Sequence, residues 1–166
     1  MATARQWAQG YLEQARADLA GASAVSGSAP STFAMLLQMV FEKFAKAALI
    51  RQGAVSVQWA STHHGAASRM VQLMRRQRGI LDPLGGHLPW HDVLEVVVSL
   101  EFAHPQLAGE DGPQLEYPWQ DVHGAICWPA RDLRIAAELG DPRKGRGLRM
   151  LRFAELLSVH FDEIFV

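Results

Sequence analysis

The chain has 166 residues and a mass of 18.3 kDa, close to the roughly 150 residues of one ordinary domain, so a single unit over 1–166 is expected. Hydrophobic residues make up 49% and charged residues 20%, a balance that excludes intrinsic disorder. Sixteen Lys+Arg stand against seventeen Asp+Glu for a net charge of −1, which excludes nucleic-acid binding by overall charge and leaves room for a local basic patch.

The spacing predicts a first helix over 4–22, with Trp7, Tyr11, Ala15, Leu19 and Ala22 three or four apart on one face. A Gly/Ala/Ser-rich connection with Pro30 follows. The second helix, over 32–52, carries the broad apolar stripe of Phe33, Leu36, Leu37, Val40, Phe41, Phe44, Ala48 and Leu49 expected of a central core helix. Ser31 or Thr32 is placed to cap it, Gly53 to end it, and Glu42 with Lys46 to form an i,i+4 pair on its wet face. A third helix is expected from Ser61–Thr62 to Gln77, with Arg75, Arg76 and Arg78 complementing the dipole of its last turn. After a loop at Asp82–Gly86, Trp90–His104 reads as a fourth helix despite Val96, Val97 and Val98, because no strand is evident to pair with it. Pro105–Pro129 is irregular and longer than most structureless connections. A short helix at Pro129–Leu139 and a clear one at Leu148–Phe165 close the chain, the latter through Leu151, Ala154, Leu157, Phe161, Ile164 and Phe165. The fold class is therefore all-α, an up-and-down bundle of five or six helices.

The lone Cys127, between Ile126 and Trp128, excludes an internal disulfide and reads as a buried thiol in a reducing compartment. Residues 1–30 lack the layout of a signal peptide, and no uninterrupted apolar run reaches about 18 residues, so a soluble cytoplasmic protein without membrane contact is expected.

Three pieces of the first half resemble the HEPN (higher eukaryotes and prokaryotes nucleotide-binding) family. They are Tyr11-Leu12 with Ala15, Asp18-Leu19 and Ala22; Gln38 with Glu42-Lys43, Lys46-Ala47 and Leu49, similar to an "EKxxKA" run; and Thr62-His63. Tyr117-Pro118-Trp119 is a fainter echo. The resemblance spans about residues 11–63. It implies a helical, usually dimeric bundle. Its relatives include metal-independent RNases, toxins paired with nucleotidyltransferases, and pure interaction modules. The family's RNases use an Arg followed four to six residues later by a His. In such a pair the imidazole moves a proton from the RNA 2′-hydroxyl while the guanidinium steadies phosphate charge. No pair here has that spacing: seven residues separate Arg152 from His160, and eight separate Arg78 from His87. Residues eight apart on a helix lie about 80° apart around the axis and about 12 Å along it, so Arg149 or Arg152 would meet His160 only across a dimer.

Arg143, Lys144, Arg146, Arg149 and Arg152 put five cations in ten residues, a candidate phosphate grip to which Arg75, Arg76 and Arg78 would add if they share a face. The alternative is a solvated connection whose charges pair with Glu155 or Asp141. His63 and His64 stand at the expected third helix start and read as capping and packing groups. His87 and His91 have ligand spacing, but Pro89 intervenes and no third ligand is evident, so neither a metal nor another cofactor is expected. Trp59 and Trp90 read as plugs of the bundle ends. Trp119 and Trp128 flank the irregular loop and anchor either a partner or the loop itself. Leu12, Phe153 and Val159 fall off the main stripes, a second apolar face that points to a homodimer.

The expectation is a HEPN-like module associated with RNA or a nucleotide in a toxin–antitoxin or defence setting. The alternatives are a divergent metal-independent RNase and a subunit that binds a nucleotidyltransferase or other effector through the Pro105–Pro129 loop.

Overall fold

Two helices of 22 residues, α1 (Ala4–Val25) and α2 (Pro30–Arg51), open the fold. The computed structural model describes residues 2–76, 89–108 and 112–166, of which 71% are helical. The fold is all-α, as the periodicity predicts. Thr3 and Gln6 form a capping box at the start of α1, satisfying amides that the first turn leaves free. The buried stripe of α1 is Ala8, Leu12, Ala15, Leu19 and Ala22. This corrects the expected stripe: Leu12 is fully buried, whereas Trp7 is 45% exposed. Alanines at 8, 15 and 22 let α1 lie close on α2, and a Trp in that seam would hold the helices apart.

Ala29, rather than Ser31 or Thr32, is the N-cap of α2, and Pro30 takes the first helical position, where its missing amide costs no hydrogen bond. Gly53 ends the helix at φ 64°, in the left-handed region open to glycine. Phe41 stacks on Phe153 and Phe44 on Phe161, with centroids 5.8 and 5.7 Å apart. Each buried ring contributes about 1.5–3 kcal/mol. Because α2 is packed on every side, Glu42 and Lys46 are buried, at 8% and 4% exposure. The wet-face reading of that pair is overturned.

The single helix expected from Ser61–Thr62 is two, α3 (Val57–Thr62) and α4 (Ala67–Arg76). Ser56 caps α3 by accepting the Trp59 amide. The Ser61 and Thr62 hydroxyls donate back to the Gln58 carbonyl, so they close α3 instead of starting a helix. Gln77, Arg78, the Asp82–Gly86 loop and His87 lie outside the described residues.

α5 (Trp90–Phe102) absorbs the three valines as predicted, and α6 (Pro105–Ala108) follows. Within the irregular segment, β1 (Trp119–Gln120) pairs antiparallel with β2 (Ile126–Cys127). Their turn is fixed by the Asp121 carboxylate accepting the His123 and Ala125 amides. This small ribbon corrects the expectation of no strand. The predicted helix at 129–139 divides at buried Leu133 into α7 (Pro129–Asp132) and α8 (Arg134–Gly140). The closing helix is α9 (Arg146–Val159) with α10 (Phe161–Ile164) after a break at His160. Its predicted inward row is buried throughout, and so is Phe153. Of the three residues assigned to a second apolar face, Val159 alone is exposed, at 73%, because Leu12 and Phe153 belong to the core.

Cross-contacts set the helix directions. Lys43 meets Asp18 and Arg51 meets Gln9, so α1 and α2 are antiparallel. The Ser68 amide donates to Glu101, so the start of α4 meets the end of α5. Pro30 lies against Gly140, Phe33 against Gly147, and Arg51 pairs with Asp162, which runs α9 parallel to α2. Arg146 of α9 binds Asp92 of α5. One end of the bundle thus gathers the starts of α2, α5 and α9. No described helix is long and apolar enough to cross a membrane.

Candidate functional site

The basic entry to α9 divides into an inner and an outer set. Arg146 is inner: its guanidinium meets Asp92 at 2.8 Å, Glu95 at 2.8 Å and Glu138 at 2.9 Å. Arg149 joins it on the other Asp92 oxygen at 3.1 Å and bonds the Lys144 carbonyl. Burial alone would raise the Asp92 carboxyl, but hydrogen bonds from Arg149 and Arg146 outweigh that and hold it below its ordinary value. Two cations among three carboxylates tie α9 to α5 and α8. This is a stitch inside the fold, with its positive charge already matched.

The outer set is exposed: Arg143, Lys144 and Arg152, with Arg75 and Arg76 on the last turn of α4. Arg143 pairs with Asp141 and Arg152 with Glu155, contacts that solvent makes weak and exchangeable. Arg152 also borders a crevice of about 140 Å³ with Pro89, Asp92, Val93, Arg149 and Phe153. His160 donates to Glu163 at 3.0 Å. Arg152 and His160 each engage a different near neighbour, and no bond joins them within the chain.

Trp119 is 6% exposed and part of the core; as a partner anchor it is corrected, because it pins the ribbon to its own bundle. Trp128 is 39% exposed, with the Arg131 guanidinium 3.5 Å from its ring centre. Trp59 and Trp90 are half-buried against the core, His91 is exposed, and the free Cys127 thiol is half-buried instead of fully enclosed.

A second polar constellation lies elsewhere, midway along α2. Gln38, Glu42 and Lys46 recur at i, i+4 and i+8 on one face. The Gln38 amide donates to Glu42 Oε2 at 2.7 Å, and Lys46 Nζ sits 2.7 Å from Oε1. From the α3–α4 break, His64 Nδ1 approaches the same Oε1 to 3.1 Å. A carboxylate only accepts, so Nδ1 carries the proton of that bond. From the α5–α6 break, His104 stacks on His64, with centroids 4.1 Å apart and planes 19° from parallel. Its Nδ1 accepts the Gln106 amide at 3.2 Å, which places the proton of a neutral ring on Nε2.

Burial would raise Glu42, but hydrogen bonds from Lys46 and Gln38 and the nearby charges of Lys46 and His64 hold it below its ordinary 4.5. Burial and then the neighbouring His64 push His104 below its ordinary 6.5. Tyr11, beneath Lys46, is raised by burial and by Glu42. Among the described residues, Glu42, His64 and His104 bring three potential ligand atoms within 4.8 Å of one another.

This constellation was only half visible in the sequence. Glu42 and Lys46 stood out as a pair and His64 as a helix-start group, while His104 carried no signal. The signal available in the sequence is three polar residues at strict four-residue spacing in the middle of a helix that is largely apolar around them.

His104 gives a pH-dependent prediction. Its proton affinity is lower in the folded chain than in the unfolded one, so its contribution is complete above pH 6.5 and is lost as pH falls toward its folded value. Denaturant titrations between about pH 7.5 and 5.5 are expected to show wild-type stability falling with acidity and His104→Asn falling less. Equal slopes would contradict the burial of that ring.

Comparison with protein-family models, curated proteins and solved structures returns no match.

Proposed function

We propose that this chain is a HEPN-like helical module that binds RNA or a nucleotide through the basic end of its bundle, without the Arg–His couple by which RNases of that family cut. The resemblance implies a toxin–antitoxin or defence setting and a homodimer. What supports binding there is the exposure of Arg143 and Lys144 at the entry to α9, with Arg75 and Arg76 exposed on the last turn of α4 as a second cation pair that would join them if the two share a face. A strand of phosphates can exchange with the weak outer ion pairs while the inner Arg146 stitch stays closed.

The test is fluorescence anisotropy of a labelled single-stranded RNA across a salt series. Replacing Arg75, Arg76 and Arg143 together by Gln is expected to weaken binding. It should also flatten the slope of log affinity against log salt by about 0.7 per lost phosphate contact. An unchanged slope would remove the basic end from consideration. The RNA is expected to stay intact in EDTA. Cleavage abolished by His160→Ala would replace this reading with the nuclease alternative, in which Arg149 or Arg152 and His160 come from two chains.

Docking of a nucleotidyltransferase or other effector draws support from a different feature, the exposed Tyr117, Val122, Ile126 and Trp128 around the ribbon. Loss of a co-purifying partner in Val122→Asp/Ile126→Asp, with RNA affinity retained, would favour it.

A further inference from the structure

The geometry points to a binding site for one divalent transition-metal ion of the zinc class, held by Glu42, His64 and His104. It is separate from the basic end, because these three side chains meet midway along α2. Two imidazoles and a carboxylate are the donor set that zinc, cobalt and nickel favour, whereas magnesium and calcium demand oxygen.

Each donor comes from a different element: a packed helix, the α3–α4 break and the α5–α6 break. Bonds of about 2.0–2.1 Å put neighbouring tetrahedral donors about 3.3 Å apart. Glu42 Oε1 and His64 Nδ1 already stand 3.1 Å apart. An ion entering there takes the place of the proton they share, which leaves with the solvent or moves to Nε2. Gln38 holds the other Glu42 oxygen, the kind of outer contact that orients a ligating carboxylate. His104 completes the set by pivoting inward from its stack on His64 and giving up the Gln106 amide, and its place between two helices permits that.

Lys46 is the opposing element. Its ammonium rests on the same Glu42 oxygen, so it supplies the positive charge that balances the carboxylate when no metal is there, and it repels an arriving ion. The arrangement therefore predicts a moderate affinity that removal of the ammonium improves.

The experiment titrates the full chain, stripped of metal, with Co²⁺ while its visible ligand-field bands are recorded, followed by displacement with Zn²⁺. One equivalent is expected to bind. His64→Ala and His104→Ala should each weaken binding at least about tenfold, and Gln38→Leu by about tenfold through the loosened carboxylate. Lys46→Met should bind more tightly than wild type. His104 is half-exposed, so its variant keeps the test readable if the His64 variant fails to fold, which circular dichroism checks. Failure of the wild type to bind Co²⁺ overturns the site. So does binding indifferent to both histidine changes, which would place the ion on other histidines such as His91 or His123, and so does a Lys46→Met chain that binds no tighter. RNA affinity in EDTA is expected to be unaffected, so this site and the RNA-binding reading fail separately.

Discussion

Glu42→Leu alone is expected to lower the unfolding free energy by about 3–5 kcal/mol, whereas Glu42→Leu combined with Lys46→Met should recover most of that loss. The single change removes the partner of an ammonium that is 4% exposed and leaves it facing the core beside Gln38 and His64. An uncompensated charge in such a place is costly because the surroundings cannot reorient around it. The double change removes both charges and leaves two apolar side chains of similar length in the same space, an exchange that is often close to neutral. Urea or guanidinium titration, with an unchanged m-value, reads both.

The acid limb supplies a second reading of the same pair. Glu42 is held below 4.5 when folded, so its stabilisation is complete above that pH and disappears as pH falls through the folded value. The double variant should lose that part of the acid sensitivity, while the part carried by Asp92 remains. A single change costing under about 1 kcal/mol would mean that water reaches Lys46 and that the cluster is a surface pair after all.

Helix periodicity made α1, α2, α5 and α9 legible, because their inward residues recur at three and four. The sequence is ambiguous where two physical causes give the same local pattern. An i,i+4 Glu–Lys pair looks alike on a wet face and in a buried array, and only the packing of α2 on every side distinguishes them. Ser61 and Thr62 have the composition of a helix start, yet their hydroxyls bond backward and end α3. Leu12 belongs to the core because the seam of α1 is centred one residue beyond Trp7 and Tyr11, and Phe153 because the buried face of α9 is wider than its expected row. The ribbon at 119–127 has only two residues per strand, too few for alternation to register. His104 joins Glu42 and His64 through tertiary folding alone, and no spacing within the chain encodes that meeting.

The two polar regions use their charge differently, and this bears on where function can reside. At the basic end, Arg146 and Arg149 are already matched by the carboxylates that join α5, α8 and α9, and Arg143, Lys144 and Arg152 in their weaker pairs remain available to a phosphate. Midway along α2, Glu42 is matched by Lys46 and Gln38, but the two imidazoles beside it keep exchangeable protons and stand at breaks between helices. Ligand exchange at the first region leaves the helix packing untouched. At the second, a ligand must displace a proton or move a side chain, so occupancy there alters the contacts of α4 and α5 with α2.

Gly147→Ala and Gly10→Ala are expected to change stability in opposite directions, although both replace glycine within a helix. Gly10 lies in α1 with open space around the position of an added Cβ, so alanine should stabilise by about 0.5–1 kcal/mol through the smaller backbone entropy lost on folding. At Gly147, in the first turn of α9, the added carbon would lie 2.1 Å from the Leu139 carbonyl oxygen and 3.0 Å from Phe33 Cε1. The first contact is with backbone and cannot be relieved by a rotamer change, so α8 or the start of α9 must move. Next to this point Gly140 abuts Pro30, where an added carbon would come within 2.6 Å of the ring. The end of α8 is therefore wedged between α2 and α9 and has little freedom to retreat. Overpacking of this kind costs about 1–3 kcal/mol and occasionally more, enough to exceed the helix-propensity gain. Any shift also loosens the grip of Arg146 on Asp92, Glu95 and Glu138, adding to the loss. Thermal unfolding of the two variants beside wild type provides the check: a raised midpoint for Gly10→Ala and a lowered one for Gly147→Ala. A stabilised Gly147→Ala would mean that α8 and α9 do not approach this closely, and the three-carboxylate stitch around Arg146 would lose its structural basis.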